Sequence, residues 1–130
     1  MFQTKRIGML ACFGLGLLMT TGAFADCRKK IALTTESAGF AVDASGSAEV
    51  RASGNQQRFK VSIDSNVDAT YAVVVGGSIV GTITTVLGQG ELELNNNNGK
   101  TLPAAVNPVC GVGSFSVING SGAAVLNGTF

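Results

Sequence analysis

Acidic side chains are where any chemistry in this chain would have to begin, because its 130 residues include no histidine. Without an imidazole, Ser-His and Cys-His nucleophile arrangements are excluded, and zinc and copper lose their commonest ligand. The methionines, Met1, Met9 and Met19, all fall in the N-terminal stretch. Glu91 and Glu93 form the better of two acidic groupings. As i and i+2 on a strand they share one face about 7 Å apart, a separation used by paired acids in glycoside hydrolysis. The same alternation keeps a half-buried strand soluble, and neither tryptophan nor a flanking aromatic ring is present to hold a sugar. We therefore read the pair as a solvated face. Asp64, Asn66 and Asp68 form the second grouping, a D-x-N-x-D spacing that offers calcium hard oxygen ligands from one loop. Ala69 and Thr70 follow where the EF-hand loop needs glycine, so these residues read as turn formers. The sequence thus assigns no catalytic, cofactor-binding or metal-binding residue, and a non-enzymatic domain without a cofactor is expected.

The N-terminus indicates where the protein works. Lys5 and Arg6 precede an apolar run from Ile7 to Met19 that ends in Ala23-Phe24-Ala25, the pattern of a cleaved secretory signal. Residues 1–25 are expected to be removed, leaving 26–130 as a single secreted or periplasmic domain with no membrane span. Cys12 leaves with the signal, so Cys27 and Cys110 remain, and export to an oxidising compartment predicts a disulfide between them. Lipidation of Cys27 is disfavoured by the charge of Asp26 just before it. Loss of Lys5 and Arg6 leaves seven basic residues against eight acidic ones, and this near balance argues against nucleic acid as a partner. The cluster Arg28-Lys29-Lys30 reads as a solvated chain start.

Beyond the signal the apolar residues recur with period two, which specifies strands. In Arg58–Asp64, Phe59, Val61 and Ile63 take one face and polar residues the other. Ala48–Ala52 alternates likewise and is joined to it by Ser53-Gly54-Asn55-Gln56, predicting a hairpin. Thr70–Val75 and Ser78–Thr85 flank Gly76-Gly77, a second hairpin, and Ser114–Ile118 and Ala123–Leu126 flank a third turn. Lys30–Thr34 and Glu91–Leu94 complete the set. The prediction is an all-β fold, an antiparallel sandwich or small barrel of seven to eight short strands arranged as meander hairpins. Lys100–Val112, with Pro103 and Pro108, is expected to cross between sheets and carry Cys110 to Cys27. Tyr71, Phe40, Phe59, Phe115 and Phe130 are expected in the core. Asn119-Gly-Ser and Asn127-Gly-Thr read as turns or strand ends rather than glycosylation sites.

The run Tyr71-Ala-Val-Val-Val-Gly-Gly-Ser-Ile-Val-Gly-Thr-Ile-Thr, then Gly88-Gln-Gly-Glu-Leu-Glu-Leu, and the closing Ala124-Val-Leu-Asn-Gly-Thr-Phe resemble small secreted bacterial β modules of uncharacterised function. That resemblance implies an extracytoplasmic β domain and assigns no site residue. Three classes of function follow. A structural or adhesive component of a surface or matrix is preferred, with self-association by strand addition if the uncharged run Ile79–Val86 lies at a sheet edge. The alternative is a monomeric binding module that presents the loops Ser65–Ala69, Asn95–Lys100 and Pro103–Pro108 at one end of a sandwich. An enzyme would need a cleft gathering Asp43, Asp64, Glu91 or Glu93.

Overall fold

A computed structural model describes residues 26–130, and the expected signal segment, residues 1–25, lies outside the described residues. Nine strands form two antiparallel sheets. They are β1 (Cys27–Ala32), β2 (Thr34–Thr35), β3 (Ser45–Ser53), β4 (Gln56–Asp64), β5 (Thr70–Val75), β6 (Ser78–Thr84), β7 (Gln89–Asn95), β8 (Ser114–Ile118) and β9 (Ala124–Thr129). A single helical turn, α1 (Ser37–Phe40), sits between β2 and β3. One sheet has the order β1-β3-β4-β7 and the other β2-β9-β8-β5-β6, so the architecture is a sandwich and not a closed barrel.

The three expected hairpins form: β3 pairs β4, β5 pairs β6, and β8 pairs β9. Gly76 and Gly77 both take positive φ (59° and 79°), the two-residue turn that matches strand twist. The strand count exceeds the sequence estimate mainly because the early strand is two. The chain bends at Leu33, whose N–H donates to the Gly46 carbonyl, and passes from the β3 edge to the β9 edge. Nor is the arrangement a simple meander. β7 leaves β6 after a tight turn and joins β4 in the opposite sheet.

Period-two burial supplies the core. Phe59, Val61 and Ile63 from one sheet face Tyr71, Val73, Phe115 and Val117 from the other, all buried. Phe59 meets Phe115 edge-on at 5.5 Å between ring centroids, and Phe130 stacks on Phe115 at 5.6 Å, so the two sheets are joined through rings. Phe40 departs from expectation. It is 73% exposed. The inward position of its turn belongs to Gly39, where even a Cβ would collide with the Val125 carbonyl oxygen, so the ring can only point outward.

β6 is peripheral, as strand addition would require, but its edge is not bare. Val80 is an extra residue opposite the Val73–Val74 step, a bulge that breaks a flat pairing template. Its later half lies under β7: a Cβ on Gly81 would meet the Leu92 side chain at 2.7 Å, and one on Gly90 the Thr84 carbonyl oxygen at 2.8 Å.

Candidate functional site

The two ends of the sandwich differ. The first holds the β3–β4 turn, Cys27, the asparagine run and the crossover segment, and there a buried amide organises the chain. Gln57 is 3% exposed and follows the inward phase of Phe59, Val61 and Ile63. Its Oε1 accepts from the Val109 N–H at 2.9 Å and its Nε2 donates to Asn107 Oδ1 at 3.4 Å. These bonds seat the crossover beside Cys110, which is bonded to Cys27 across 83 residues of sequence. Asn96 closes the same end: Oδ1 accepts from the Gln57 N–H and Nδ2 donates to the Asn55 carbonyl. The asparagine run is therefore a clip between β4, the β3–β4 turn and β7, with Asn95 capping Asn97. Sequence reasoning missed Gln57; the available signal was a polar residue in phase with three apolar ones.

The second end is built from the α1 segment, the β4–β5 loop, the β6–β7 turn and the β8–β9 turn. Three of these are stitched together. Asn66 N–H donates to the Val42 carbonyl at 2.7 Å, tying the β4–β5 loop to the α1 segment. Thr85, 1% exposed, donates from Oγ1 to the Val67 carbonyl at 3.0 Å and accepts from the Ala69 N–H. Asp68 accepts from the N–H groups of Leu87 (3.2 Å) and Gly88 (2.9 Å). Ser65 completes the lattice, donating to the Val67 carbonyl at 2.6 Å and accepting from the buried Tyr71 hydroxyl at 3.4 Å.

Within the D-x-N-x-D spacing, Asn66 and Asp68 both bond to backbone groups. The Asp68 carboxylate is occupied by two backbone donors. Among the described residues no group of three or more His, Cys, Asp or Glu side chains converges on a metal position. Glu91 and Glu93 lie on the exposed face of β7, opposite Ser62 and Lys60; Glu91 is 3.9 Å from Lys60 and Glu93 accepts from Asn95. Of the acids an enzyme would draw on, Asp64 and Glu91 line one cavity of about 270 Å³ along β4 and β7, while Asp43 lies in the α1 segment and Glu93 further along the sheet. The loops of the alternative reading also separate. Ser65–Ala69 is at the second end, whereas Asn95–Lys100 and Asn107 gather around Gln57 at the first, so they cannot form one presenting surface.

What the second end does assemble is apolar surface. Of the five large apolar side chains exposed among the described residues, Phe40 (73%), Val67 (45%), Val86 (64%) and Leu87 (92%) belong to its three stitched segments. Leu87 stands at the tip of the β6–β7 turn with φ 53°, followed by Gly88 at 81°. Both central positions of this turn want glycine or asparagine. A leucine here is strained and unburied at once.

No family model and no curated protein match this chain.

Proposed function

We propose that this protein is an exported, non-enzymatic structural or adhesive β domain, a component of a bacterial surface or extracellular matrix that works through protein contacts. The observation that carries the reading is the gathering of Phe40, Val67, Val86 and Leu87 on one hydrogen-bonded end of the sandwich. Single exposed apolar residues are ordinary, but four of them at one end of the sandwich, on segments bonded to one another, support an interaction surface. The signal pattern at residues 1–25 and the Cys27–Cys110 bridge are consistent with an oxidising compartment. The described residues include no helix long and apolar enough to cross a membrane.

Light scattering and negative-stain imaging of the exported, oxidised protein over a range of concentrations test the reading. Concentration-dependent oligomers or fibres are expected, and replacing Leu87 with Asp should abolish them. A wild-type protein that stays monomeric throughout would discard self-association and favour a binding module instead.

A further inference from the structure

The apolar end is also the acidic end. Glu36, Asp43, Asp64 and Asp68 lie in or beside its segments, and residues 34–44, 64–70, 84–90 and 118–124 contain no lysine or arginine. At the opposite end the balance reverses: Arg28, Arg51, Arg58 and Lys100 are set against Asp26 and Glu49. Arg58 pairs with Glu49 at 2.9 Å and Arg28 with the same carboxylate at 3.7 Å. Arg51 and Lys100 are exposed and have no carboxylate within ion-pair distance among the described residues. Next to them is a cavity of about 250 Å³ lined by Arg51, Ser53, Gln56, Gln57, Arg58 and Asn97. The nine residues of β4 hold the two ends roughly 25–30 Å apart, beyond the screening length of physiological salt, so within one molecule they scarcely interact.

Resting on the structural reading above, we propose that the partner of the apolar end is a second copy of this chain, docked head to tail. The Leu87 turn with Asp64 and Asp68 of one copy seats against the Arg51 and Lys100 end of the next. Charge complementarity selects this occupant. An acidic apolar surface is repelled by an anionic membrane, while the same chain carries the matching basic depression at its far end. The stem of Arg51 gives Leu87 apolar contact, and the heads of Arg51 and Lys100 meet the carboxylates. Because the two contacting surfaces differ, every copy keeps one free surface of each kind, and addition repeats into an open filament.

Two variants test this in combination, both at exposed positions. Leu87→Asp blocks the apolar end, and Arg51→Glu with Lys100→Glu blocks the basic end. Each alone should sediment as a monomer where the wild type forms long oligomers. Mixed one to one, they should form dimers and nothing larger, since each supplies the surface the other lacks. Raising the salt should weaken the mixed dimer about tenfold or more. A different result separates the two ideas. If the Arg51/Lys100 variant forms dimers on its own while Leu87→Asp does not, the apolar ends meet each other, and the head-to-tail proposal fails while the adhesive reading stands. Wild type that never associates overturns both. Leu87-dependent sedimentation with neutral phosphatidylcholine vesicles would also overturn the proposal, because the occupant would then be lipid.

Discussion

Leu87→Asn should make the folded protein more stable while removing its capacity to associate. A non-glycine side chain in the left-handed region costs about 1 kcal/mol, less for asparagine, which adopts it readily. Leu87 sits there at φ 53°. Burying a leucine fully yields about 2 kcal/mol, but Leu87 is 92% exposed, so its packing contributes only about 0.2 kcal/mol to the monomer. Both hydrogen bonds that hold the turn to Asp68 come from backbone N–H groups and survive the change. The net expectation is a gain of about 0.5–1 kcal/mol, or a Tm rise of about 2–6 °C for a domain of this size. The assay is thermal unfolding by circular dichroism on dilute protein, so that association does not contribute through mass action. Sedimentation on concentrated protein then reads the loss of oligomers. A Tm that falls would refute the reasoning, since it would mean that Leu87 packs within its own monomer and is no contact residue.

Other consequences lie in the interior and its closures. Gln57→Leu keeps a side chain of similar length but leaves the buried Val109 N–H without its acceptor; we expect a loss of about 1–3 kcal/mol in urea unfolding, with the crossover segment losing hydrogen-exchange protection first. Cys27→Ala with Cys110→Ala opens a loop of 83 residues and should cost about 4 kcal/mol in the chain-entropy account, measured as a lower urea midpoint under non-reducing conditions. Gly90→Ala places a methyl 2.6 Å from Ile83 Cγ2 and 2.8 Å from the Thr84 carbonyl oxygen, so β6 and β7 must part; a loss of about 1–3 kcal/mol is expected by thermal unfolding. Glu91→Gln with Glu93→Gln should change stability by less than about 0.5 kcal/mol, because both side chains are solvent-exposed and their partners are surface groups.

Fold class was legible because strand pairing is written locally. Phe59, Val61 and Ile63 alternate with polar residues, and Gly76-Gly77 allows one kind of turn, so three hairpins could be read off the chain. What escaped was decided by contacts distant in sequence. Nothing near Leu33 announces that the chain changes sheets there; the change depends on the Gly46 carbonyl and on β9 lying alongside. Phe40 was expected in the core on residue type, and it is outside because Gly39 meets Val125, a contact spanning most of the domain. The asparagines read as a loose polar loop, yet Asn96 is a clip, since its partners at Gln57 and Asn55 arrive from another hairpin.

The surface on which function is argued illustrates the same limit from the opposite direction. Phe40, Val67, Val86 and Leu87 are scattered through the sequence and individually unremarkable there; only the bonds from Asn66, Asp68 and Thr85 bring them to one end. Asp68 resembled a metal ligand by spacing and is instead the residue that holds the Leu87 turn. A turn with two positive φ values is satisfied most cheaply by asparagine and glycine, and this one spends its first position on an exposed leucine. Folding gains nothing from that choice. A residue that strains its backbone and buries almost no surface in the monomer is accounted for when a second molecule covers it, and the basic end of an identical chain carries the charge to do so.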